Sequence, residues 1–219
     1  MTIKDIGINT FFIGILLERS SICSISGNGI FMCHDVIMLV SSSNNRISEN
    51  NITANEGDGI KLYYSSNNNV IHRNSITVNK YDGITLSGSL NNTIYKNNVV
   101  NSGLGILLVR SSGNCIYHNN FVTNTVQAHT YMGSVNVWDN GYSSGGNYWS
   151  DHKCAEFNGS GIGEIPYPID ENNIDHYPLM CPYKLGDVNH DAKVNIIDMH
   201  IIVKSFGMQK RRRALELPR

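Results

Sequence analysis

Three aspartates recur at the same point of a repeated pattern. Asp35, Asp58 and Asp82 are 23 and 24 residues apart, and each precedes a short apolar stretch. A row of carboxylates can carry out acid–base catalysis or bind Ca²⁺. A structural role is equally open, because Asp-Gly, which occurs at two of the three positions, is a common turn sequence. Carboxylates stacked in this way repel one another, or they share a cation or a proton.

A second group of oxygen-bearing side chains lies near the C-terminus. Its spacing matches positions 1, 3, 5, 7, 9 and 12 of an EF-hand calcium loop, in which position 7 contributes its backbone carbonyl. The residues are Asp187, Asn189, Asp191, Lys193, Asn195 and Asp198. Ala192 stands where such loops have glycine, which should weaken the site. Residues 199–206 are apolar at helical spacing, so the segment predicts a calcium loop followed by a short α-helix.

A third set combines charged and aromatic side chains at equivalent positions of the repeat. Its members are Glu49, Arg73, Lys96 and His118, beside Ser48, His72, Tyr95 and Tyr117. Aromatic rings next to charged groups can hold a sugar ring, and an ordinary solvated surface is the alternative. A copper site needs His, Met or Cys side chains that converge. His34, His72 and His118 occupy different positions of the repeat, which does not favour copper.

These residues are positioned by a repeat of 22 to 24 residues between about Gly14 and Ala128. Each repeat carries an apolar strand followed by an isoleucine in a polar context, at Ile25, Ile47, Ile71, Ile94 and Ile116. A fixed period of this length is the signature of a solenoid, because one repeat cannot bury its own apolar face. The alternation of apolar and polar residues indicates β-strands. The sequence therefore predicts an all-β, right-handed parallel β-helix of about five coils.

Asparagines also recur with this period, in three columns. An amide at a coil corner can bond its own backbone and the amide of the next coil, so columns of this kind predict ladders that hold the corners. Cys23 and Cys33 replace asparagines and are expected to be buried thiols. The columns are Asn28, Asn50, Asn74, Asn97 and Asn119; Asn45, Asn69, Asn92 and Asn114; and Asn55, Asn79, Asn101 and Asn124.

The coils resemble the parallel β-helix repeats of the NosD-like and carbohydrate-binding/sugar-hydrolase groups. The block from Asn147-Tyr-Trp149-Ser-Asp151 to Tyr177-Pro-Leu-Met180 resembles the segment that follows the β-helix in NosD-like surface proteins. That resemblance implies a second, weaker calcium loop at Glu156, Asn158, Ser160 and Glu164, for which a plain structural turn is the alternative. Residues 187–206 resemble one half of a type I dockerin, which implies a cohesin-like protein partner.

The composition limits the possible functions further. The chain has 219 residues, a net charge of −1 and 16% charged residues, so it has no general attraction for nucleic acid. The apolar stretch at residues 6–17 is too short to cross a membrane, and no signal sequence is evident in it. We divide the chain into β-helix repeats (1–135), a glycine- and aromatic-rich capping segment (136–183) and a dockerin-like unit with its tail (184–219).

Three functional hypotheses follow from the sequence. The first is an exported or cell-surface, non-catalytic β-helix protein that binds carbohydrate or another surface polymer and carries a Ca²⁺-binding C-terminal module. The second is a polysaccharide lyase or glycoside hydrolase with Asp35, Asp58 and Asp82 as its acidic centre. The third is a copper accessory protein of the NosD type. The fold alone does not choose between them, because function depends on individual sites.

Overall fold

A computed structural model describes residues 1–153, 155 and 160–184. Each coil contributes one short strand to each of three parallel sheets. The first sheet contains Thr2–Lys4, Ser24–Ser26, Arg46–Ser48, Val70–His72, Thr93–Tyr95 and Cys115–Tyr117. The second contains Gly7–Asn9, Gly29–Phe31, Asn51–Thr53, Ser75–Thr77, Asn98–Val100, Asn120–Val122 and Tyr148–Trp149. The third contains Ile13–Glu18, Asp35–Val40, Ile60–Tyr63, Ile84–Ser87, Leu104–Val109 and Val126–Tyr131.

This architecture confirms the parallel β-solenoid and corrects the predicted number of coils. The sheets contain six, seven and six strands, so the described chain makes about six coils instead of five. The first coil begins at Thr2, ahead of the strand that the sequence pattern placed first. The pattern missed it because its two short strands carry only one inward-facing isoleucine each, at Ile3 and Ile8. Strands this short are difficult to recognise from alternation.

The core consists of identical residue types stacked in register. Ile71 pairs with Ile47 on one side and with Ile94 on the other, and each of these side chains is fully buried. The third sheet repeats the arrangement with leucine, because Leu39, Leu62 and Leu86 occupy neighbouring register positions. Cys23 and Cys33 are buried free thiols, as predicted. No helix in the described part of the chain is long and apolar enough to cross a membrane.

Asparagine ladders connect the coils at their corners. In one example, the backbone N–H and the side-chain Nδ2 of Asn50 both donate to Asn74 Oδ1, at 3.0 and 2.9 Å. The residue before each ladder position has a left-handed backbone, as at Arg73 (φ 56°) and Lys96 (φ 59°). Each such residue costs about 1–2 kcal/mol, and the ladder hydrogen bonds offset that cost. A left-handed residue therefore marks the position just before each ladder asparagine of the coils.

This rule corrects the third predicted column. Asn101 is the left-handed corner residue (φ 52°), and Ser102 takes the ladder position. The Ser102 N–H still donates to Asn124 Oδ1, at 2.9 Å. The serine side chain is too short to continue the ladder to Asn79 in the preceding coil. As a result, Asn79 Nδ2 and Ser102 Oγ are buried without a hydrogen-bond partner in the described structure.

A fourth corner carries a ladder of serines that the sequence analysis did not identify. At four of the five steps along this corner, the backbone N–H of one serine donates to the hydroxyl of the serine in the next coil, at 3.0 to 3.1 Å. The column consists of Ser20, Ser42, Ser66, Ser89, Ser111 and Ser134. Its period of 22 to 24 residues was visible in the sequence, but serine is common in turns and gives a weaker signal than asparagine.

The segment after the last complete coil closes two of the ladders. The strands Tyr167–Asp170 and Asn173–Asp175 form an antiparallel pair. Asn147 N donates to Asp175 Oδ2 at 2.7 Å, and Asn136 N donates to Asn173 Oδ1 at 2.9 Å. A carboxylate only accepts hydrogen bonds, so Asp175 can end a ladder of donors. The space beside it admits no side chain, since a Cβ on Gly146 would lie 1.9 Å from Asp175 Oδ1.

Aromatic rings pack beneath this closing segment. Trp149 stacks on Phe121 of the last full coil, with ring centroids 4.8 Å apart. Tyr167 also stacks on Trp149, with ring centroids 4.3 Å apart. Both tryptophans are 1% exposed, and Trp149 Nε1 donates to Asp175 Oδ2 at 2.9 Å. The rings therefore cover the apolar interior that the final coil would otherwise expose to water.

Candidate functional site

The structure brings the three predicted aspartates together across successive coils. The side chain of Lys61 lies between the first two, with its Nζ 2.7 Å from Asp35 Oδ1 and 3.1 Å from Asp58 Oδ2. The hydroxyl of Thr85 connects the second and third, 3.2 Å from Asp58 Oδ2 and 3.1 Å from Asp82 Oδ2. We call these five residues the aspartate row. Lys61 and Thr85 were not identified from the sequence, although both occupy outward-facing positions of strands directly after the aspartates.

The carboxylate oxygens of this row are largely committed to the protein itself. Asp58 Oδ1 accepts the backbone N–H of Asp82 at 2.9 Å, and Asp82 Oδ1 accepts the backbone N–H of Leu104 at 3.3 Å. The side chains of Asp35 and Asp58 are each only 9% exposed. The row therefore ties adjacent coils together, much as the asparagine ladders do.

Protonation in the row follows from this crowding. Burial and the neighbouring Asp58 carboxylate raise the pKa of Asp82, and the hydrogen bond from Thr85 partly offsets the rise. Burial alone would lower the pKa of Lys61, but its hydrogen bond to Asp35 and the charge of Asp58 raise it above its usual value. The repulsion among the three carboxylates is thus relieved by one permanent cation and by a carboxyl group that holds its proton more tightly than usual.

The predicted calcium ligands are only partly within the described structure. Asp187, Asn189, Asp191, Lys193, Asn195 and Asp198 lie outside the described residues, as do Glu156 and Asn158. Of the weaker loop, Ser160 Oγ accepts the backbone N–H of Ile162 at 3.2 Å, and Glu164 is exposed. Calcium binding by either segment stays a prediction.

The aromatic residues of the third predicted set form a continuous stack. The rings of His72 and Tyr95 are 5.0 Å apart, and those of Tyr95 and Tyr117 are 5.5 Å apart, with interplanar angles of 9° and 14°. Tyr95 lies between His72 and Tyr117, so both of its ring faces are covered and it offers no face on which a sugar could stack. Sugar binding by the other members of this set stays a prediction.

His72 is the most deeply buried member of this stack. It is 1% exposed, and neither ring nitrogen has a hydrogen-bond partner in the described structure. Burial, together with the positive charges of Arg46 and Arg73, lowers the pKa of His72 to about 4. The imidazole is therefore neutral at physiological pH, and its environment shows that this flank of the solenoid carries positive charge.

A groove of about 420 Å³ lies beside the stack, on the outer face of the second sheet. We call it the basic groove; it is lined by Arg73, Asn74, Ser75, Lys96, Asn98, Asn120 and Tyr183. Lys96 forms no ion pair within the described residues, and its Nζ lies over the Tyr183 ring at 5.1 Å. Arg73 has a loose contact with Glu49, at 3.5 Å between Nη1 and Oε1.

Polar side chains without protein partners form the floor of this groove. Ser75, Asn98 and Asn120 are consecutive register partners on neighbouring strands. The side chains of Ser75 and Asn98 are partly exposed and make no hydrogen bond within the described part of the chain. The Asn120 amide holds the backbone of Tyr183, accepting its N–H at 2.6 Å and donating to its carbonyl at 3.2 Å. The sequence analysis identified the two cations of this groove and the ladder residue Asn74, but not Ser75, Asn98 or Asn120.

Metal-ligating side chains do not converge in the described structure. Among residues 1–153, 155 and 160–184, no three His, Cys, Asp or Glu side chains are grouped so that they could hold a metal ion. The nitrogens of His72 are enclosed, and His118 Nε2 lies 2.7 Å from the carbonyl of Ser144. The described residues therefore do not fit a copper centre.

The fold is a parallel β-solenoid, and comparison with known proteins shows the family to which this chain belongs. The family model described as "Periplasmic copper-binding protein (NosD)" matches residues 1–154. The chain belongs to the NosD family. No curated protein matches the chain in a sequence search.

Solved structures with a similar fold include two crystal structures of mutants of the periplasmic alginate epimerase AlgG. They are 28% and 29% identical to this chain, with TM-scores of 0.52 and 0.51. Each match covers 59% of this chain and 31% of the epimerase chain. The similarity thus spans about a third of the length of the epimerase.

Proposed function

We propose that this NosD-family chain is an exported, non-catalytic protein that binds a polysaccharide in the basic groove along the flank of its solenoid. The observation that carries the proposal is the groove itself. It combines hydroxyl, amide and cationic side chains, several of them without protein partners, in one depression. A few convergent polar groups in a concave surface are typical of ligand sites. The likeness to an alginate epimerase supports a polysaccharide as the ligand.

The aspartate row supports a non-catalytic role. A general acid or base must exchange a proton with the substrate, so it needs a carboxyl group within hydrogen-bond reach of it. Asp58 instead accepts hydrogen bonds from Lys61, Thr85 and the backbone of Asp82, and its side chain is 9% exposed. A lyase or glycosidase centred on this row is therefore the weaker hypothesis.

A panel of neutral and acidic polysaccharides tests the proposal directly. We expect binding in calorimetry without release of reducing ends or unsaturated products. Asn98→Trp should abolish binding by filling the groove, whereas Ser87→Trp, at a partly exposed position of the third sheet, should not. Turnover that disappears in Asp58→Asn would overturn the non-catalytic assignment. Binding unaffected by Asn98→Trp would exclude the groove as the site.

The calcium-binding C-terminal module belongs to the same proposal. It rests on the ligand spacing at residues 187–198, which also motivates the cohesin-like partner. Calcium titration of the full chain should give a heat signal that Asp187→Ala removes. Equal heats for the two proteins would contradict the predicted loop.

Copper binding is the second candidate, because the family description names it. The described residues do not fit a copper centre, so we expect the purified protein to remain copper-free after growth in copper-rich medium. Stoichiometric copper that survives dialysis would favour this alternative over polysaccharide binding.

A further inference from the structure

The basic groove has a direction and a repeat that limit the kind of polymer it can hold. Ser75, Asn98 and Asn120 are aligned across three neighbouring strands, so they follow the solenoid axis at intervals of about 4.8 Å. Arg73 and Lys96 occupy the adjacent corner in two successive coils, between Glu49 in the coil before and His118 in the coil after. The groove therefore presents a pair of cations beside a line of hydroxyl and amide groups.

We propose, building on the function above, that the groove binds an acidic polysaccharide whose chain runs parallel to the solenoid axis, one uronate residue per coil. The interval between coils is close to the length that one pyranose unit adds to an extended chain. Carboxylates would face Arg73 and Lys96, and ring hydroxyls would face Ser75 and Asn98. Tyr183 supplies one wall of the groove, because Asn120 holds its backbone against this surface.

The charges of the groove favour an anion over a neutral sugar. Lys96 has no acidic partner within the described residues, so a ligand carboxylate could approach it without displacing one. Arg73 can exchange its exposed contact with Glu49 for a ligand carboxylate at little cost, because exposed ion pairs contribute little to stability. Charge-assisted hydrogen bonds to carboxylates are roughly twice as strong as neutral ones. The aspartate row offers the opposite environment, with three carboxylates around one lysine.

Oligogalacturonates of one to five residues are suitable probes, with the methyl-esterified oligomers of the same lengths as neutral controls. Affinity should rise from the monomer to the dimer and then level off, because two coils carry both a cation and an unbonded floor side chain, Arg73 with Ser75 and Lys96 with Asn98. The free-acid trimer should bind at least tenfold more tightly than its ester. Arg73→Ala and Lys96→Met should each weaken binding of the acid about tenfold. Arg110→Ala, which removes an exposed cation from another corner, should not.

The possible failures are distinguishable. If the ester binds as tightly as the acid and Asn98→Trp abolishes both, polysaccharide binding stands and the acidic class is overturned. If the monomer already reaches the full affinity, the axial orientation is overturned. If neither probe nor any polysaccharide binds, the proposed function fails as well. Circular dichroism melting of every variant separates lost contacts from lost folding, and Arg73→Lys and Lys96→Arg should retain binding.

Discussion

Replacing Lys61 tests whether the aspartate row is a structural unit with one shared cation. In Lys61→Met, the side chain keeps its length and loses its charge, so Asp35 and Asp58 face each other uncompensated. Removing one partner of a buried ion pair typically costs about 3–5 kcal/mol. Lys61 remains 14% exposed, so we expect the lower end, about 3 kcal/mol at pH 7. For a chain of this size, that corresponds to a fall in Tm of roughly 6–12 °C.

The same experiment contains its own control. Lys80 and Glu56 lie 3.0 Å apart, a distance comparable to that of the Lys61 pairs, but their side chains are 63% and 69% exposed. Lys80→Met should therefore change stability far less than Lys61→Met does. The double variant Lys61→Met/Asp35→Asn should recover part of the loss, because it removes one of the two facing charges.

The pH dependence provides the decisive measurement. Burial and the Asp58 carboxylate already raise the pKa of Asp82, and the charge of Lys61 limits that rise, so removing Lys61 should raise this pKa further. Stability from such a raised pKa is present at low pH and is lost as the pH rises, so Lys61→Met should approach the wild type near pH 4 and fall behind it toward pH 7. Urea unfolding followed by circular dichroism between pH 4 and 8 measures this difference. A loss of stability in Lys61→Met that is independent of pH, or one equal to that of Lys80→Met, would refute the role of Lys61 as the shared cation of the aspartate row.

Three further predictions concern the ladders and the buried titratable groups. Ser102→Asn should raise stability by about 1 kcal/mol, measured by urea unfolding, because it supplies the missing acceptor for Asn79 Nδ2. Ser143→Asn, at an exposed turn, is the control, and a stability loss in Ser102→Asn would mean that the gap is too small. Burial raises the pKa of Asp175 to about 7, so stability from its protonation is complete below about pH 4 and is lost as the pH rises through 7. Asp175→Asn should remove this dependence, on the order of 4 kcal/mol, and an unchanged pH profile would contradict it. His72→Phe should stabilise the protein by about 1 kcal/mol, because it removes ring nitrogens that are buried without partners. The wild type should lose stability as the pH falls from 6.5 through about 4, because the folded-state pKa of His72 is lowered, and His72→Phe should lose less. Thermal melts from pH 3.5 to 7 measure both effects. Greater acid sensitivity of the variant would refute them.

The sequence predicted the positions of the coil corners better than the side-chain contacts that form at them. The spacing of the aspartates correctly indicated that they stack, but the cation between them was not predicted. Lys61 belongs to the same coil as Asp58 and reaches back to Asp35 in the coil before, so its role depends on side-chain reach. The third ladder shows a similar limit, because Asn101 and Ser102 are adjacent and only the backbone conformation decides which of them points inward.

The sequence by itself determined the solenoid, its core columns and most of its asparagine ladders. It could do so because every coil repeats the same contacts, so that the period of the pattern is also the distance between neighbours in space. Only the tertiary structure decided the candidate binding surface. Tyr183 reaches the basic groove from 63 residues beyond Asn120, and no period in the sequence connects the two. The tertiary structure also determined which ring faces and polar side chains remain free, and those determine what the surface can bind.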